Sequence, residues 1–265
     1  MSSQPLSHRR ARADILVTMF EAHSAARVPK TAPGCIAVIV VVLLLVVPLC
    51  ESHADSVFSL APATDVSLGA GSLSLFVVSQ IITPQPGTAV PLDEVNRFDS
   101  LLIEPFSSCL DTIGTVGAYA TLLLPSAMVL FETDNRERPV PYSAMYAEAL
   151  LLAYGTKDLL KAIVPRYRPY TYVGSTPVGE EDDYFNSFPS GHTTLAFLAT
   201  TFLSVTFARE YSTSPWRVPI AIGSYALAAG VGATRVLSGS HFMTDVLAGA
   251  AIGVLWGWLI PFLHS

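Results

Sequence analysis

The chain has 265 residues, of which 51% are hydrophobic and 14% charged, and its mean hydropathy is +0.48. Soluble globular chains carry roughly 25% charged residues, so the shortage argues for a membrane protein, and so apolar a composition excludes disorder. A net charge of −6, with no basic stripe beyond the N-terminal tail, excludes a nucleic-acid binder, and the widely spaced Cys35, Cys50 and Cys109 make neither a disulfide framework nor a zinc site.

A helix crosses a hydrocarbon core of about 30 Å with about 20 mostly apolar residues. Taken in chain order, the stretches that qualify are approximately 34–50, 66–82, 112–131, 143–163, 190–208, 216–233 and 243–263. They predict an all-α fold, a polytopic transmembrane bundle of about six helices, with 66–265 as one membrane domain and 1–54 as a separate N-terminal region. Barrel strands would be shorter and would alternate polar with apolar residues. Residues 1–54 read as a basic tail carrying Arg9, Arg10, Arg12, Arg27 and Lys30, then an apolar run, then Ser52-His53-Ala54. That order fits a signal peptide with a small-residue cleavage site, and it fits a retained N-terminal anchor equally well.

Basic residues in short loops set orientation. Arg136 and Arg138 fall in one loop and Arg209 and Arg217 in another on the same side, which predicts a cytoplasmic location for both. The opposite side receives the acidic residues of 84–111 and the run Glu180-Glu181-Asp182-Asp183. On this scheme 66–82 runs from inside to outside, which conflicts with a preceding span at 34–50. Ser67, Ser72, Ser74, Ser79 and Gln80 make 66–82 the weaker span, with an interfacial or re-entrant course as the expectation.

Ionisable residues near helix ends in so apolar a chain mark a site. Three sets stand out: Lys161 with Arg168, closing one helix; Pro189-Ser190-Gly191-His192, opening the next; and Arg235 with His241 and Asp245, at the start of the last. Helix counting puts all three on one face. Lys161 and Arg168 lie two helical turns apart and aim their cations at one spot. Ser190 occupies an N-cap position, and the amides of 190–192 form a seat for an anion. His241 and Asp245 are four apart, so the carboxylate can hold one imidazole nitrogen and free the other. The bland expectations are that Lys157 and Arg166 snorkel to the interface, that 180–183 is a solvated loop, and that Tyr167, Tyr170 and Tyr172 are interfacial aromatics. These account for single residues and not for three convergent sets, whose cations could neutralise a transferring phosphoryl group in place of magnesium.

The three sets resemble the signature of the type 2 phosphatidic acid phosphatase (PAP2) superfamily, membrane lipid phosphatases whose fold is shared with vanadium haloperoxidases. Lysine, six spacers and Arg-Pro match Lys161, Arg168 and Pro169. Pro-Ser-Gly-His matches 189–192 unchanged, and Arg235, His241 and Asp245 match the third motif, with Thr234 where the family has serine. The motifs span 161–245, and residues 1–65 lie outside the likeness. By position, the resemblance implies that His241, oriented by Asp245, attacks phosphorus to give a phosphohistidine. It implies that a charged His192 protonates the leaving oxygen and later activates water. Lys161, Arg168, Arg235, Ser190 and Gly191 would bind the phosphate, with no metal or other cofactor. The implied substrate is a lipid phosphate or diphosphate: phosphatidic acid, phosphatidylglycerol phosphate, an isoprenoid diphosphate or a lipid A phosphate. A vanadate-dependent haloperoxidase and a non-catalytic lipid-phosphate binding or transport protein are the alternatives. The expected setting is a bacterial inner membrane with the site toward the periplasm, the bilayer and the lipid as partners, and no nucleic acid or obligate protein partner.

Overall fold

The computed structural model describes residues 57–82, 91–126, 128 and 139–265. The basic tail, the apolar run 34–50 and the loop of Arg136 and Arg138 lie outside the described residues, so the choice between signal and anchor does too. The described residues are helical without strands, and the long helices are α1 (Pro62–Ile81), α2 (Ser108–Leu122), α3 (Pro139–Ile163), α5 (Gly191–Glu210), α6 (Arg217–Leu237) and α7 (Met243–Leu263). A single turn, α4 (Pro169–Tyr172), sits between α3 and α5.

Local sequence sets the ends. Pro62 opens α1, where its fixed φ and missing N–H cost nothing. Ser107 caps α2 by accepting from the Leu110 amide at 3.5 Å, and Pro165 stops α3 by disfavouring helical geometry in the residue before it. At α7 the Asp245 carboxylate accepts from the Phe242 amide at 2.8 Å, which satisfies one donor at the helix start.

Helix α5 is the hub, packed against α2, α3, α6 and α7. Leu195, Ala196, Leu198, Ala199, Phe202 and Leu203 are buried on it, as are five threonines. The threonines are satisfied without water: Thr194 Oγ1 donates to the Ser190 carbonyl at 2.9 Å, Thr200 Oγ1 to the Ser224 carbonyl at 3.2 Å, and Thr206 Oγ1 to the Phe202 carbonyl at 2.7 Å. Against α5 lies a ladder on α7, Gly249, Gly253 and Gly257. A Cβ on each would stand 2.5, 2.3 and 2.6 Å from the carbonyl oxygens of Ser190, Thr194 and Leu198. Only glycine allows the two backbones to come so close, as small residues do at helix interfaces in membranes.

Helix α1 covers the segment expected to be the weaker span. It is one continuous helix along α3, with its first turn near Glu148 and His264 and its last near Asp158, where Gln80 Nε2 donates at 3.0 Å. Its serines fold back on their own helix: Ser67, Ser72 and Ser79 donate to the carbonyls of Ala63, Gly69 and Phe76 at 2.7, 3.0 and 2.7 Å. Each of these three hydroxyls is thereby paired without water.

Among the described residues two helices, α6 and α7, are long and apolar enough to cross a membrane. Both present large apolar side chains outward, among them Val218, Ile222 and Leu227 on α6 and Leu247, Leu255 and Trp258 on α7. An outward apolar face of this extent belongs to a membrane protein.

Candidate active site

The site forms where α3 and α6 end and α2, α5 and α7 begin. Its framework is a short parallel pairing between the segment after α3 and the segment before α5. The Arg166 amide donates to the Phe185 carbonyl at 2.9 Å, the Arg168 amide to the Tyr184 carbonyl at 2.8 Å, and the Ser187 amide to the Arg166 carbonyl at 2.9 Å. Lys161 and Arg168 therefore do not share one helix face, as their seven-residue spacing suggested. The helix stops at Ile163, and Arg168 projects from extended chain.

Arg168 is buried and held on three sides. Its Nε donates to the Asp183 carbonyl at 3.0 Å, Nη1 to the Ser240 carbonyl at 3.0 Å, and Nη2 to the Asp183 carboxylate. Asp183 is thus one member of the acidic run with a specific partner, beyond a solvated loop. Lys161 Nζ donates to the Asn186 carbonyl. Arg235 is buried, with Nη1 on the Asp111 carbonyl at 3.1 Å and Nη2 on its carboxylate at 2.7 Å. Its Nε has no hydrogen-bond partner among the described residues, so one strong donor is left for an incoming anion.

His241 lies in the turn between α6 and α7. That turn needs Gly239, at φ +70, because a Cβ would stand 2.3 Å from the Glu104 carbonyl oxygen. The His241 Nδ1 is 2.7 Å from the Ser187 carbonyl, which only accepts, so Nδ1 carries the hydrogen and Nε2 the lone pair. Nε2 is 3.4 Å from Arg168 Nη1. Burial first, then the charges of Arg168, Arg235 and Lys161, push this imidazole well below its ordinary pKa, so it is neutral at pH 7.

Asp245 was expected to hold the imidazole directly. Its Oδ2 lies 3.8 Å from Nδ1, beyond hydrogen-bond range, and accepts instead from Ser187 Oγ at 2.6 Å and the Phe242 amide at 2.8 Å. Asp245 therefore orients His241 through Ser187 and the helix start.

Arg166 does not snorkel. Its Nη1 donates to Asp245 Oδ1 at 2.5 Å and to Thr244 Oγ1 at 2.8 Å, its Nη2 to Asp99 Oδ2 at 2.6 Å, and the guanidinium lies 4.2 Å from the Phe242 ring centroid. Asp99 is fully buried. It also accepts from the Thr244 amide at 2.9 Å, capping α7 from a different loop. Burial alone would raise its pKa, but hydrogen bonds from Arg166, Thr244 and Asn96 outweigh that and lower it. Sequence reasoning missed Asp99, Asp111 and Ser187 because none belongs to a contiguous motif.

His192 is half-buried in the first turn of α5, with Nε2 3.2 Å from Thr115 Oγ1 on α2. Ser190 is the N-cap residue, yet its hydroxyl pairs with Thr193 Oγ1 at 2.9 Å and makes no cap bond to an amide. The first amides of α5 have no intrahelical carbonyl to meet, and a Cβ on Gly191 would lie 3.3 Å from Lys157 Cδ. Lys157 is buried here beside Tyr154 and Asp158. Tyr170 is likewise buried, edge-on to Phe106 and Tyr184.

The six motif side chains that could handle a phosphate are thus gathered at one end of the bundle, around His241 and the start of α5. Residues 143–264 match the family model of the PAP2 superfamily. By that match this stretch resembles the PAP2 superfamily. It is 43% identical over 75 residues to lipid A 1-phosphatase from Porphyromonas gingivalis, covering 28% of this chain and 15% of that protein. It is 31% identical over 86 residues to probable diacylglycerol pyrophosphate phosphatase 1 from Schizosaccharomyces pombe, covering 31% of this chain and 29% of that one. The chain therefore matches under a third of the length of either relative. Among solved structures it is similar to the transmembrane PAP2 type phosphatidylglycerolphosphate phosphatase from Bacillus subtilis, at 19% identity, a TM-score of 0.41, and coverage of 87% of this chain and 94% of that one.

Proposed function

We propose that this PAP2 chain hydrolyses a lipid phosphate or diphosphate through a phosphohistidine, without metal, at the outer face of a bacterial inner membrane. The observation that carries the reading is the His241 Nε2 lone pair, fixed by the Ser187 carbonyl and set beside Arg168 Nη1. Nε2 attacks phosphorus as the bond to the leaving oxygen breaks, and His192 supplies that oxygen's proton. His192 then takes a proton from water, which attacks the phosphohistidine and returns His241 with inorganic phosphate. Arg168, Arg235, Lys161 and the opening amides of α5 meet the equatorial oxygens, and Arg235 Nε is already without a partner. The relatives named above act, by their names, on a lipid A phosphate and a diacylglycerol pyrophosphate, which supports the lipid class. The basic loop residues Arg209 and Arg217 lie at the other end of the bundle, which supports an outward-facing site.

The test is phosphate release from purified lipid phosphates and diphosphates, read across pH. His241→Gln is expected to lower kcat at least about 1000-fold while the protein stays folded in the membrane. Wild-type kcat/KM should keep its acid limb below pH 6.5, because a lowered pKa leaves His241 neutral as pH falls past the ordinary histidine value. Full activity in His241→Gln would rule the mechanism out.

A further inference from the structure

A second cluster of ionisable groups lies at the far end of the bundle. Asp65 comes from the first turn of α1, Glu148 from α3 and His264 from the C-cap of α7. At 1.5 Å per residue, α7 separates His264 from Asp245 by about 30 Å, so the trio is no part of the phosphate clamp.

The backbone fixes the imidazole's tautomer. Nδ1 is 2.9 Å from the Ile260 carbonyl, which only accepts, so Nδ1 carries the hydrogen. Nε2 then turns its lone pair toward Asp65 Oδ1 at 2.9 Å and Glu148 Oε2 at 3.5 Å. Glu148 is 2% exposed, and its Oε2 has no hydrogen-bond partner among the described residues. Acceptors converge this closely only around a proton or a cation. A proton making an imidazolium leaves the pair of carboxylates with a net negative charge in a buried place. A divalent ion with a neutral imidazole brings the trio to zero.

We propose that Asp65, Glu148 and His264 form a binding site for a divalent transition-metal ion of the zinc class. The donor atoms all lie within 4.8 Å of one another. Ligands 2.0–2.2 Å from a tetrahedral ion are about 3.3–3.6 Å apart, so modest side-chain shifts complete the geometry. The Nδ1–H on a backbone carbonyl is the outer support that metal-binding histidines have. An imidazole in the set selects zinc-like ions over magnesium or calcium, which favour oxygen ligands alone. Asp65 is 15% exposed at its side chain, which gives an ion a way in and leaves room for water as a fourth ligand. Such an ion would fasten α1, which precedes the matched PAP2 stretch, to α3 and α7 within it.

The experiment uses the full chain without an affinity tag, purified in detergent, stripped with a chelator and dialysed against Zn²⁺ alone. Wild type is expected to retain one zinc per chain and to gain about 5 °C in Tm. Glu148→Gln and His264→Gln should bind at least about 10-fold more weakly and gain nothing, while His192→Gln/His241→Gln should keep its zinc. In wild type, Co²⁺ in place of zinc should give the visible bands of a four-coordinate ion. This reading needs no variant to fold. No visible bands, equal zinc in wild type and Glu148→Gln, or zinc that is lost with His192 and His241 would each overturn the proposal. None of these readouts involves phosphatase activity, so they stand apart from the proposed reaction.

Discussion

Ser187 touches both His241 and Asp245. Its carbonyl takes the imidazole hydrogen, its hydroxyl donates to the carboxylate, and its amide is tied to Arg166, which grips the other oxygen of Asp245. Asp99 closes this ring by holding Arg166 and the Thr244 amide of α7 together. Asp99 is a positioning residue, and Asp99→Asn is expected to lower kcat about 10- to 100-fold with KM little changed, because a slight misplacement of His241 suffices for that loss. Steady-state kinetics on a fixed lipid substrate checks it; an unaltered kcat would leave Asp99 with helix capping alone. The motif residues were legible from spacing, since each sits beside a helix end that proline, serine or glycine announces. Ser187, Asp99 and Asp111 were not, because their roles arise from contacts that join distant loops, and a buried aspartate reads like any loop aspartate until its arginine is found.

Among the elements, α5 and α7 decide how the second and third motifs face one another. Gly249 lies against the Ser190 carbonyl and Gly253 against that of Thr194, so the backbone carrying His192 is registered directly on the backbone that follows His241. The Ser190 amide completes the link by donating to the Asp245 carbonyl at 3.0 Å. Gly253→Leu would force the helices apart; overpacking of this kind costs about 3 kcal/mol, and the displacement should also abolish activity. Thermal unfolding in detergent, with Gly253→Ala as the milder step, checks the graded loss. The close contact of α5 and α7 through Gly249, Gly253 and Gly257 is visible only once the two helices are packed. The serines of 66–82 satisfy themselves on their own helical turn, which the polarity of the segment did not announce.

For the whole molecule, helix direction alternates so that the starts of α2, α5 and α7 share the end where α3 and α6 finish. α1 runs parallel to α3, from the His264 end to the Asp158 end, a course that the proposed orientation makes inside to outside. A reporter fused after Ser265 should therefore read as cytoplasmic and one inserted in the loop at 175–180 as periplasmic; protease accessibility in sealed vesicles checks both, and the opposite pattern would invert the proposed orientation. The class of fold was legible because apolar runs of helix length are so long. The far cluster of Asp65, Glu148 and His264 was not, since its members are widely separated in the chain and meet only when α1, α3 and α7 pack.

The outward apolar faces of α6 and α7 have a kinetic consequence. Leu247, two residues past Asp245, is exposed to whatever surrounds the bundle, and in a bilayer that neighbour is an acyl chain. A lipid substrate would then reach the clamp by sliding sideways within its leaflet, already oriented with its headgroup level with the helix ends. Turnover would be governed by how crowded the substrate is among other lipids in two dimensions, and diluting it with inert lipid would slow the enzyme even at constant bulk concentration.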